Sequence, residues 1–184
     1  PQEPKVMVIS CSDSRVDPCI LFGAQPGDLF VVRNVANIVP PCEDDRSSSH
    51  GTSAALEYAV CYLKVRHIIV LGHSHCGGIK ALLEYDFSEP NTFITKWMSW
   101  MLPAKKWVLQ NHANATSEEK IEFLEKRALQ HSLENLKTFP FVTEKLKQEE
   151  LFIHGWYFDL QCGNLLGFDN LTTDFKPLIC LDKR

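Results

Sequence analysis

His67-Ile68-Ile69-Val70-Leu71, running into Gly72-His73-Ser74-His75-Cys76-Gly77-Gly78, is the stretch whose reading decides the fold. A short apolar run that stops at a polar, glycine-rich turn reads as a buried strand delivering a loop to one end of a sheet. The same pattern stands at Lys5-Val6-Met7-Val8-Ile9-Ser10, which runs into Cys11-Ser12-Asp13-Ser14-Arg15. Residues 29–33 and 151–158 are two further apolar runs. Runs of this length suit parallel strands covered on both faces. Helical spacing fills the gaps. Over 53–64, Ala55, Leu56, Ala59, Val60 and Leu63 share a face, and a second helix starts at Gly77. Thr116 with Glu119 forms a capping-box pair opening a helix with Ile121, Leu124, Ala128, Leu129, Leu133 and Leu136 on one side. That helix must stop before Phe139-Pro140. Residues 93–108, with Trp97, Trp100 and Trp107, read as a packed amphipathic helix, part of whose face is a candidate subunit contact. Gln161-Cys162-Gly163-Asn164 reads as a hairpin turn into a short antiparallel edge strand over 165–168. The prediction is one α/β domain over 1–184. It has a mainly parallel central sheet, about four parallel strands plus an antiparallel edge strand, flanked by helices.

Composition narrows the class of function. The chain has 184 residues, 45% hydrophobic and 23% charged, with net charge -4 and no basic block. That argues against nucleic acid or an anionic membrane surface as a partner. No apolar run is long enough to span a bilayer, and no signal peptide is visible. The opening Pro1-Gln2-Glu3-Pro4 lies one turn before a strand, so an N-terminal segment is expected to be missing. The seven cysteines are odd in number and irregular in spacing, unlike a secreted disulfide framework. A reducing, cytoplasmic setting is expected, or an organelle if a targeting segment has been removed.

Two strands end in loops rich in ligand-type side chains. In parallel α/β sheets, sites form outside the carboxyl ends of the strands. If the strands ending at Ser10 and Leu71 are neighbours, Cys11, His73 and Cys76 converge. Such a set suits zinc, and three protein ligands leave one position open for water. His73 and Cys76 alone are a weak signal; the Cys11–Arg15 stretch strengthens it. Asp13 and Arg15 stand two apart, close enough to pair at the mouth of that site.

Cys11-Ser12-Asp13-Ser14-Arg15, Arg33-Asn34-Val35-Ala36-Asn37 and Gly72-His73-Ser74-x-Cys76-Gly77-Gly78 resemble the three signatures of β-class carbonic anhydrases, in order and at matching spacing. The similarity runs from Gln2 to about Phe168. Ile38-Val39-Pro40-Pro41 and Leu56-Glu57-Tyr58-Ala59-Val60 look most like the plant-type branch. The resemblance implies a Zn2+ enzyme that reversibly hydrates carbon dioxide to bicarbonate and a proton, by attack of a zinc-held hydroxide on substrate in an apolar pocket. It implies that Asp13 accepts a hydrogen bond from the attacking water and that Arg15 holds Asp13. It implies that Gln2 and the Gly77 N–H bind substrate or product, and that Phe30, Val35 and Tyr58 line the pocket. Phe30 and Val35 would do so in the neighbouring subunit, requiring a homodimer or a higher even oligomer.

Departures from the family pattern carry their own expectations. Val8 stands where members with a regulatory bicarbonate site carry tryptophan, so no such site is expected, although Arg33 is present. Asp13 could become the fourth ligand only if its pair with Arg15 broke. His75 replaces a small residue; it is either a proton shuttle or, the reading preferred, a neighbour pointing away from the metal. Other readings are hydrolysis of carbon disulfide or carbonyl sulfide at the same site, a non-catalytic zinc module, and cysteine redox chemistry. The non-catalytic module is opposed by the lack of a fourth ligand. The redox reading is opposed by the lack of a Cys-x-x-Cys motif.

Overall fold

The computed structural model describes residues 2–43, 51–85 and 92–179. The apolar runs form β1 (Val6–Cys11), β2 (Leu29–Asn34), β3 (His67–His73) and β4 (Phe152–Phe158), joined by β5 (Leu165–Asp169) and β6 (Asp174–Ile179). Helices are α1 (Pro18–Phe22), α2 (Gly51–Glu57), α3 (Gly77–Glu84), α4 (Phe93–Met98), α5 (Leu102–Asn111), α6 (Ser117–Leu136) and α7 (Pro140–Lys147). Sheet order is β2-β1-β3-β4-β5-β6, so the chain forms a single α/β domain. The first four of these strands pair in parallel, and β5 and β6 add antiparallel.

The sixth strand refines the expected topology. β5 lies inside the sheet, and β6 takes the edge. β6 has no apolar run, carries Pro177 and is largely exposed, as an edge strand tolerates. Residues 93–108 are not one helix. A 3₁₀ turn at Ser99–Met101 separates α4 from α5, and Pro103 sits in the first turn of α5, the position where proline is accepted. The helix expected over 53–64 begins as α2 and widens into a π turn at Tyr58–Tyr62. The polar loop over 40–49 is described only to Glu43. His50 and Cys180 also lie outside the described residues.

One face of the sheet packs Met7, Ile9, Ile68 and Val70 against Leu56 of α2, Leu129, Leu133 and Leu136 of α6, and Val142 of α7. On the other, Val8, Ile69 and Leu71 meet Leu21 and Phe22 of α1 and Trp156. The reciprocal capping box of Thr116 and Glu119 starts α6. Glycine lets α6 lie close to the sheet. A Cβ at Gly155 would stand 2.5 Å from Leu129 Cδ2 and 2.7 Å from Leu133 Cδ1, and one at Gly72 would stand 2.9 Å from Leu129 Cδ1. A third apolar cluster, from Ile79, Leu82, Met98, Met101, Ala104, Val108 and Leu124, encloses Cys11 and Cys76.

Candidate metal centre and active site

Cys11 ends β1, His73 ends β3, and Cys76 is the residue from which α3 starts. Ser10 lies beside Leu71 in the parallel pairing, so both strands release their loops at the same edge. Cys11, His73 and Cys76 are buried, and their ligand atoms lie within 4.8 Å of one another. The two sulfurs are 4.0 Å apart. Zinc–sulfur bonds of about 2.3 Å at tetrahedral angles set two sulfurs about 3.8 Å apart. His73 Nδ1 donates to the Ser74 carbonyl at 2.9 Å. That bond fixes the tautomer and leaves Nε2 with a free lone pair. Nε2 is buried, finds no oxygen or nitrogen partner among the described residues, and faces the Cys11 sulfur. A buried nitrogen left without a partner calls for one, and a divalent cation between two thiolates supplies it. The donor set fits zinc.

The surroundings favour thiolate. The Cys11 thiol is drawn down to about 4, chiefly by its hydrogen bond with Cys76 and, against burial, by backbone N–H groups of Asp13 and Ala36. That contact and burial push Cys76 up, although the N–H groups of Gly78 and Ile79 face its sulfur. The loop bringing Ala36 into place is unusual: Ala36 and Asn37 both have positive φ, 62° and 46°. Asn34 closes it, donating to the Ile38 carbonyl at 2.9 Å and accepting from the Ile38 N–H at 2.8 Å.

Asp13 stands at the rim, its Oδ2 4.0 Å from His73 Nε2. Arg15 donates from Nε to Oδ1 at 2.9 Å and from Nη2 to Oδ2 at 2.6 Å, and its backbone N–H also reaches Oδ1. These bonds from Arg15 hold the Asp13 carboxyl below the usual carboxylate range. Arg15 Nη2 also donates to the His75 carbonyl, tying the β1 loop to the β3 loop. The His75 residue itself is exposed.

The remaining predicted residues divide. Gly77 opens α3 with no atom within 4 Å of where a Cβ would be. Val35 is 38% exposed, and its Cγ1 would stand 3.0 Å from a Cβ on Gly78, beside the chain's own α3. Phe30 and Tyr58 form a pair at 6.0 Å between ring centres. Phe30 pairs with Met7, four residues back from the Cys11–Asn34 pair, which is about 13 Å along the strands. Gln2 is exposed ahead of β1. Phe30 and Gln2 therefore sit toward the opposite end of the strands from the Cys11–His73–Cys76 group of the same chain.

Three positioning groups escaped the sequence reading. Arg33 donates to the Cys11 carbonyl at 3.0 Å and the Asp13 carbonyl at 2.7 Å, clamping the ligand loop. Ser74 is pinned by its N–H to the Phe158 carbonyl and by the Leu160 N–H to its Oγ. Glu125 of α6, buried, accepts from the Cys76 N–H at 2.8 Å and the Tyr157 hydroxyl at 2.7 Å. Burial pushes its carboxyl up, opposed by those two bonds. A charge at position 125 inside an apolar helix face was the available signal. The carbonyl acceptors used by Arg33 leave no trace in sequence.

Among known proteins, residues 6–165 match the carbonic anhydrase family. The chain is 41% identical over 176 residues to beta carbonic anhydrase 5, chloroplastic, of Arabidopsis thaliana, covering 95% of this chain and 56% of that protein. It spans between 56% and 63% of the length of that protein and two further curated carbonic anhydrases. The solved β-carbonic anhydrase CcaA superposes with TM-score 0.89 at 36% identity, covering 96% of this chain and 85% of that one. A solved structure of tetrameric β-carbonic anhydrases from Sordaria macrospora gives TM-score 0.74 at 34% identity, covering 98% and 83%. These likenesses extend over nearly the whole chain, and the chain belongs to the β class of the carbonic anhydrase family.

Proposed function

We propose that this chain catalyses the reversible hydration of carbon dioxide to bicarbonate and a proton, at a zinc ion held by Cys11, His73 and Cys76. The observation that carries this is the buried His73 Nε2, facing two cysteine sulfurs beside an Asp13 carboxylate clamped by Arg15. When bound, zinc supplies the Lewis acidity that makes water a nucleophile near neutral pH. The chain's own groups do the rest. Asp13 is ionised and acceptor-only, so it accepts a hydrogen bond from the attacking water and aims a lone pair at the carbon. Arg15 fixes that carboxylate and keeps it charged. The N–H of Gly77, at the positive end of α3, binds an oxygen of bicarbonate. Val35 borders the site from the same chain. Phe30, Tyr58 and Gln2 serve the site of a second copy, which is the reason to read the working unit as a homodimer or a higher even oligomer. The tetrameric Sordaria relatives support assembly. Among the described residues no helix is long and apolar enough to cross a membrane. The six cysteines among the described residues are free, which suits a reducing compartment, cytoplasm or organelle interior.

Stopped-flow carbon dioxide hydration, on protein of measured zinc content, tests this. Zinc-loaded protein without hydration activity would sink the proposal. Cys76→Ser is expected to lose the metal. Asp13→Asn is expected to keep it and to lose about 100-fold or more in kcat/KM, the scale of a lost proton-accepting group.

A further inference from the structure

A carboxylate buried in an apolar cluster is costly unless both oxygens are bonded. Glu125, 5% exposed, sits on α6 between Leu124 and the Ala128–Leu129 pair, all of which are buried. Each of its oxygens has one partner: Oε1 takes the Cys76 N–H, and Oε2 takes the Tyr157 hydroxyl. Neither partner is incidental. Tyr157 belongs to β4, and Cys76 precedes α3, so its N–H lies outside the helix and needs an acceptor.

Besides the Cys11 sulfur, the other groups that orient Cys76 belong to the adjoining α3. Its carbonyl accepts the Lys80 N–H at 2.9 Å. Its sulfur meets the N–H groups of Gly78 and Ile79. Glu125 is the one anchor reaching Cys76 from across the core among these contacts, and it is fixed in turn by the close seat of α6 on Gly72 and Gly155.

We infer that Glu125 is a positioning residue of the metal centre. Its carboxylate, steadied by Tyr157, holds the Cys76 backbone so that the sulfur stays on the side shared with Cys11 and His73. This rests on the zinc reading above. It makes α6 and β4, which supply no ligand, part of what shapes the site.

Zinc affinity by chelator competition, together with the thiolate charge-transfer band of the cobalt-substituted protein, tests the inference on the full chain. Glu125→Leu removes the acceptor and is expected to weaken zinc about 10- to 100-fold, the range for lost outer-shell partners of a metal ligand, and to shift the cobalt band. Glu125→Gln keeps an oxygen for the Cys76 N–H and is expected to stay within about threefold of the parent. Tyr157→Phe leaves one oxygen of Glu125 unbonded and is expected to weaken zinc at least about threefold. Circular dichroism and melting of the metal-free proteins report folding separately. A purely structural role would lower the melting temperature and leave the affinity and spectrum of folded protein unchanged. Folded Glu125→Leu that binds zinc like the parent overturns the inference, and so does Glu125→Gln as weak as Glu125→Leu. Should Glu125→Leu not fold, Tyr157→Phe decides, and unchanged affinity there overturns it. A parent chain that takes up neither zinc nor cobalt overturns the metal reading instead, and this inference with it.

Discussion

Arg15 serves Asp13 and the His75 carbonyl with one guanidinium. A planar fork does this where a lysine would not, because two parallel N–H bonds fix the carboxylate plane as well as its charge. The electrostatic consequence has a definite sign. The folded-state pKa of Asp13 is depressed below its ordinary value of 3.8, first by the Arg15 side chain. The pairing therefore contributes stability above about pH 3.8 and loses it as pH falls through the lower folded value. Across the neutral range Asp13 stays charged. In Arg15→Ala, a carboxyl-carbon NMR titration of zinc-free protein should move Asp13 back up toward 3.8. If it still titrates far below that, the cause assigned here is wrong. The convergence of Asp13, Arg15, Cys11, His73 and Cys76 was legible because side chains of those types stand together at strand ends. Arg33 and Ser74 were not, because their partners are main-chain groups that any sequence provides. Glu125 was half visible, as a charge inside an apolar face whose partners lie 49 and 32 residues away.

At the scale of elements, the α6–sheet contact decides how well the site is built. Gly72 and Gly155 leave no room for a methyl group beneath Leu129 and Leu133. Gly155→Ala should therefore lower stability by about 1–3 kcal/mol through overpacking, read by urea denaturation. A change of less than about 0.5 kcal/mol, the scale of an unconstrained surface substitution, would mean that α6 is not seated by these glycines. The parallel core and α6 were readable from apolar runs and a capping box, since burial on both faces and helix starts both imprint on composition. β6 left little imprint: it is a mostly exposed edge, held by pairing with β5, by the Lys176–Asp169 contact and by Phe175 packing on Tyr157 and Phe168. The break between α4 and α5 was masked by an apolar spacing that continues across it, with Pro103 the one local sign.

The whole molecule exposes a surface that a monomer has little reason to keep. Tyr58 and Tyr62 stack at 5.6 Å with 44% and 70% of their surface exposed, and Phe30 joins Tyr58 from β2. Exposed aromatic clusters of this kind mark association surfaces. Phe30 stands about 13 Å along the strands from its own ligand cluster, so if it lines a pocket, the pocket belongs to a second copy. Tyr62 is the residue to change, since nothing assigns it to substrate. A charge there, in Tyr62→Glu, should leave the zinc content intact because the ligands are buried within one chain. It should shift the protein toward monomer by light scattering, and hydration activity should fall about 10-fold or more along with the dimer fraction, as a loss of pocket walls and positioning implies. Activity that tracks the dimer fraction across protein concentration would tie catalysis to assembly. A monomeric Tyr62→Glu protein with full activity would mean that the site is complete within one chain, with Val35 and the Gly77 end of α3 sufficient to wall it.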